Sequence, residues 1–187
     1  MTSYDGHIII KSIEKELFKN IFIIPNNSEK YSSFSLSKLL FLDSYQFLNS
    51  SLAQLTEYLR QSGEDQFVIT KNIFSNYWQD YKDLILKKGI YPYDYMCSFE
   101  KFEETKLPPK ELFYSKLQFE NISDEDYNHA LSFWDAFNCK NIGNYMDIYM
   151  LLDTCLLSDI FQNFRKLCLN YYELEPLQFY STPGIVF

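Results

Sequence analysis

Residues 141–172, NIGNYMDIYMLLDTCLLSDIFQNFRKLCLNYY, contain no proline and a single glycine, and their apolar side chains recur at helical spacing over a wide face. A helix with so broad an apolar side has to be covered by other elements, which predicts a central helix around which the rest of the chain packs. Asp153 falls inside the most apolar part of this run, 148–157. A buried carboxylate has to be paired, hydrogen-bonded, protonated or bound to a metal. The partner of Asp153 is therefore the first functional question. Asp147 and Asp159 fall on other faces and are expected to be solvated.

The remainder supplies that cover. Ile9, Ile10, Ile13, Leu17 and Phe18 in YDGHIIIKSIEKELF have helical spacing, and Asp5 with Gly6 marks a helix start. IFIIPNN, KYSSFSLS and KLLFLDS are short apolar or alternating runs bounded by turn residues, which predicts a small sheet. SSLAQLTEYLRQSG reads as a helix with Leu52, Leu55 and Leu59 on one face, Ser51 as N-cap and Gly63 as C-cap. NIFSNYWQDYKDLILKKG predicts a second helix ending at Gly89, with Lys87 and Lys88 set against its dipole. The stretch 90–117, with Pro92, Pro108 and Pro109, reads as a long irregular connection. ISDEDYNHALSFWDAF opens with Ser123 and Asp126 in capping register, and Tyr127, Ala130, Leu131, Trp134 and Phe137 mark its apolar face. The fold class implied is α/β, with a small sheet in the N-terminal part and a helix-rich C-terminal half.

Composition narrows the chemistry. A net charge of −8, with no Lys/Arg run longer than two residues, repels a phosphate backbone rather than attracting it. Four widely spaced cysteines without a C-x-x-C, and only two histidines, do not form a zinc framework and suit reduced thiols in an intracellular core. No apolar run reaches membrane-spanning length, and MTSYDGHIIIKSIEKELF lacks the order of a signal peptide, so a soluble, intracellular protein without a membrane partner is expected.

On the long helix Tyr149 and Asp153 are four residues apart and share a face, so a phenol hydroxyl can approach a carboxylate. Such a pair can hold a metal and orient its water; equally, Asp153 can simply accept hydrogen bonds within the core. Asp5 can cap its helix, or converge with Asp153 on one divalent ion.

In order, these segments resemble the 3′-to-5′ exonuclease domain of protein-primed family B DNA polymerases, the enzymes of some bacteriophages, adenoviruses, linear plasmids and Polinton/Maverick transposons. TSYDGHIII resembles the second exonuclease motif, which implies a metal-associated role for Asp5. Ser51-Leu52-x-x-Leu55 is similar to the (S/T)-L-x-x-h element, which implies contact of Ser51 and Leu52 with single-stranded DNA and the terminal protein. LKKGIYPYDYM resembles the stretch carrying the lysine that supports proofreading, matched by Lys88. Tyr149-x-x-x-Asp153 stands as the third motif, which implies Asp153 as a metal ligand and Tyr149 as the group that orients the attacking water.

The resemblance further implies a ribonuclease H-like fold, a two-metal site for Mg2+ or Mn2+, a single-stranded DNA 3′ end as substrate, and the rest of a polymerase as a partner. A nuclear location would follow for a eukaryotic transposon product. The family's first motif, D-x-E, occurs nowhere in the chain, and neither do the polymerase motifs. The expectation is a partial exonuclease domain over 1–172, lacking its first strands and inactive alone, with 173–187 leading toward an absent palm domain. A non-catalytic module that binds single-stranded DNA or a polymerase partner, or a transposon relic without function, are the alternative expectations.

Overall fold

The computed structural model describes residues 4–13, 21–25, 31–117 and 119–186, with the side chains of Tyr4, Asp5, His7, Ser32 and Val186 outside that description. In chain order the elements are α1 (Tyr4–Ser12), β1 (Ile21–Pro25), β2 (Tyr31–Leu36), β3 (Leu39–Leu42), α2 (Leu52–Ser62), α3 (Val68–Ile73), α4 (Ser75–Ile85), α5 (Asp124–Ala136), α6 (Ile142–Tyr172) and α7 (Thr182–Val186). They fall into two units, residues 1–50 with 164–187, and residues 51–163. The α/β class and the small N-terminal sheet are as expected. No helix among the described residues is long and apolar enough to cross a membrane.

In the first unit the three strands form one antiparallel sheet in the order β1-β2-β3. Phe34 on β2 lies directly opposite Phe41 on β3, and their rings stack with centroids 4.4 Å apart. Aromatic pairs at facing positions are what hold a short sheet in register. Ser37, at φ 52, supplies the left-handed conformation that the tight β2–β3 connection requires. Beyond the sheet, Phe47 packs against Phe164 of α6, and the Thr182 hydroxyl donates to the Phe47 carbonyl at 2.9 Å.

The second unit is helical, and its core consists of Phe67, Ile85, Leu86, Phe133, Ile142, Leu152 and Leu156, all essentially inaccessible to solvent. Ser51 caps α2 in a reciprocal capping box with Gln54, and Gly63 ends the helix at φ 127. Ser123 caps α5 by accepting from the Asp126 amide at 3.0 Å. Among its described residues the irregular connection after α4 contains short 3-10 turns, at Tyr93–Tyr95, Phe99–Glu103 and Lys110–Phe113, and an isolated bridge between Ser115 and Glu120.

Three expectations are corrected. The single helix over 72–89 is two: α3 ends at Ile73, α4 begins at Ser75, and Tyr81 interrupts α4 with non-helical angles. The buried positions of α5 are His129, Ala130 and Phe133, while Leu131 faces outward. The phase of the apolar stripe is shifted because a histidine, rather than Leu131, is turned inward.

The third concerns Asp159, which is not solvated but 2% exposed. Its Oδ1 accepts from the Ile69 amide at 2.8 Å, and its Oδ2 accepts from the Thr70 amide at 2.8 Å and the Thr70 hydroxyl at 2.7 Å. The N-cap position of α3 is Phe67, which has no side-chain oxygen to offer. A carboxylate from α6 thus supplies the cap, placing negative charge at the positive end of α3 and satisfying amides that would otherwise be orphaned. Asp159→Ala is expected to lower stability by about 2–4 kcal/mol, since buried donors lose their acceptor. Asp159→Asn, which keeps one acceptor, loses less; urea denaturation of both variants measures the difference.

Candidate functional site

After α4 ends at Ile85, Leu86 turns into the core and the chain passes across the face of α6. Gly89 makes that crossing possible: a Cβ there would lie 2.5 Å from Cδ2 of Tyr149, closer than any side chain tolerates. The Tyr145 hydroxyl, also on α6, donates to the Ile90 carbonyl and fixes the crossing segment. With the backbone so held, Lys88 turns toward α6.

Its ammonium donates to the Tyr149 hydroxyl at 3.0 Å and to the Gly89 carbonyl at 3.3 Å, and lies 3.5 Å from Asp153 Oδ2. It is also 5.1 Å from the centroid of the Tyr149 ring, within range of a cation–π attraction. The Asp153 and Lys88 side chains are 21% and 31% exposed, so water only partly screens the pair. Asp153 Oδ1 is buried and has no hydrogen-bond partner among the described residues. Lys88 is thus not set against the dipole of the helix before it: it lies past the end of α4, with its ammonium beside the carboxylate of α6.

Tyrosines flank the cluster. Tyr91 stacks on Tyr149 with centroids 5.2 Å apart, and the Tyr93 hydroxyl hydrogen-bonds the Tyr149 hydroxyl. Tyr149 is 5% exposed. Burial first, then the bond to Tyr93 and the negative charge of Asp153, push its phenol far above the ordinary value of 10.0. Burial likewise raises Tyr91 to about 12 and Tyr145 further still. Tyr149 therefore stays neutral at any physiological pH: it can donate or accept a hydrogen bond but cannot serve as a base.

The structure thus brings together three of the residues singled out in the sequence, Lys88, Tyr149 and Asp153. Asp5 is the second residue of α1, at its start as expected, but its side chain lies outside the described residues. Ser51 does not join the cluster; its hydroxyl accepts from the Gln54 amide at 3.3 Å as a helix cap, and Leu52 is half-buried beside it. The next turns of α2, through Ala53, Thr56 and Arg60, share with Lys88 and Gly89 the lining of a groove of about 500 Å³. Among the described residues no three His, Cys, Asp or Glu side chains stand close enough together to hold a metal ion. Asp153 is the carboxylate of this cluster, and its buried Oδ1 is an acceptor without a donor among the described residues.

Sequence reasoning missed Tyr91 and Tyr93, which lie in an irregular segment with no periodicity to give them a face. It also missed the close approach that requires glycine at position 89. No protein-family model, curated protein or solved structure matches the chain.

The buried phenols make a measurable signature. Above pH 10 the unfolded chain releases phenolic protons that the native state retains, so native stability falls as pH rises from about 10 upward. Phenolate absorbance should resolve a class of tyrosines that ionises only together with loss of helical ellipticity. Tyr149→Phe should reduce the size of that class and flatten the loss of stability with pH.

Proposed function

We propose that this chain is part of the 3′-to-5′ proofreading exonuclease region of a protein-primed family B DNA polymerase, a truncated ribonuclease H-like domain inactive alone. The observation that carries this reading is the meeting of Lys88, Tyr149 and Asp153, distant in sequence and matched independently to two separate motifs, within 3.5 Å of the lysine ammonium.

The chemistry of the three groups fits that role. Asp153 offers Oδ1 to a Mg2+ or Mn2+ ion while Lys88 holds Oδ2, and the resemblance separately gives Asp5 a metal-associated role. A divalent ion bound there would lower the pKa of its water and offset charge on the leaving 3′ oxygen. Tyr149, kept neutral by burial, orients a water by hydrogen bonding without removing its proton. The Lys88 ammonium fixes the Tyr149 hydroxyl and adds positive charge beside the position of a scissile phosphate. A single-stranded DNA 3′ end is the substrate that this arrangement suits, since a frayed strand enters where a duplex does not. The remainder of a polymerase and its terminal protein are the partners that this reading implies.

Thermal melts with and without Mn2+ test the assignment. A ligand that binds only the native state stabilises it by about 2.7 kcal/mol at a hundredfold excess over its Kd. The melting temperature of the unmutated chain is expected to rise with Mn2+, and that of Asp153→Asn to stay unchanged. An equal rise in both would remove Asp153 from the metal site. Saturable binding of single-stranded DNA with no Mn2+ effect in either protein would instead favour a non-catalytic DNA-binding module.

A further inference from the structure

The inward face of α5 carries one polar ring. His129 is 8% exposed, with its ring 6.5 Å from that of Phe133, while Leu131, two residues on, is 39% exposed. Nε2 of His129 is buried and has no hydrogen-bond partner among the described residues. A buried nitrogen without a partner costs stability that an apolar side chain at the same position would not.

The histidine stands one turn after the charges that fasten α5 to the chain leaving α4. The Lys87 ammonium lies 3.4 Å from Asp126 Oδ1 and 3.5 Å from Glu125 Oε1. These carboxylates precede His129 by three and four residues and so lie on its side of the helix. Lys87 is followed directly by Lys88, and the two lysines line one groove with Glu125 and Asp126. Burial first, then the positive charge of Lys87, push the His129 imidazole down to about 4, against the opposing pull of Asp126 and Glu125. The ring is therefore neutral at pH 7.

A proton on this ring adds a second cation where Nε2 has no acceptor among the described residues. It repels Lys87 and competes with it for the same two carboxylates. We propose that His129 is an acid-sensitive latch on the 86–90 crossing: neutral, it lets Lys87 dock on the first turn of α5, and protonated, it undocks that lysine and loosens the segment that presents Lys88 to Tyr149 and Asp153. The latch is independent of what the cluster binds. A freed histidine takes up its proton near 6.5 and the latched one only near 4, so each pH unit downward between these values favours the opened form by up to about tenfold.

Hydrogen exchange read by mass spectrometry, corrected for the intrinsic pH dependence of exchange, follows this opening segment by segment. Between pH 7 and 5 the stretch 86–90 of the unmutated chain is expected to lose protection about tenfold or more, while 152–160 in the core of α6 keeps its protection. His129→Gln and His129→Leu, which cannot take up the proton, should hold the protection of 86–90 constant over that range. Lys87→Met should show already at pH 7 the weakened protection that the unmutated chain reaches only in acid.

An equal pH dependence in the His129 variants would assign the acid response to carboxylates and overturn the latch. Loss of protection spread evenly over 86–90 and 152–160 would also overturn it, because the acid response would then be global unfolding. Either His129 variant that keeps native ellipticity suffices for the comparison. Lys87→Met leaves the histidine in place and is independent of both: unchanged protection of 86–90 at pH 7 would overturn the latch as well.

Discussion

α6 carries one fully buried carboxylate and one partly buried one, and the way each is compensated organises the second unit. Asp159 is saturated: three hydrogen bonds from α3 use both its oxygens and bind that helix to α6. Asp153, six residues earlier, is left half open, with an ammonium beside one oxygen and no partner on the other. A buried acceptor without a donor is costly, and folds retain few of them. The saturated acid is the structural one, and the unsaturated acid is the place to look for a ligand.

Much of this architecture is legible in the sequence. The long helix, the three short strands, the caps at Ser51 and Ser123 and the terminating Gly63 follow from periodicity and turn chemistry, because these are local effects. What could not be read is tertiary. Nothing near Asp159 in sequence indicates that its partners are Ile69 and Thr70, so it looked like a solvated charge. The break at Phe74 is hidden because apolar residues continue through it, and packing rather than a proline or glycine ends α3. Of the candidate site, the four-residue spacing of Tyr149 and Asp153 was visible, whereas the rotation of Lys88 away from solvent depends on the crossing at Gly89.

The acidity of the chain and the chemistry of its site are compatible on local grounds. Net charge sets the long-range field, but within a partly dehydrated cluster a single ammonium at 3.0–3.5 Å outweighs distant surface carboxylates, which salt screens. Tyr91 and Tyr149 strengthen this effect by displacing water without adding charge, since burial keeps their phenols neutral. The result is a small, oriented, positively compensated cluster on a negatively charged protein.

The pairing of Lys88 with Asp153 is most directly measured by a double-mutant cycle on unfolding free energy, using Lys88→Met, Asp153→Asn and the two together. A partly buried pair should show a coupling of about 1 kcal/mol or more, with the double variant less destabilised than the sum of the single ones. Strictly additive losses would mean that the ammonium does not compensate the carboxylate, and the cluster would lose its physical basis.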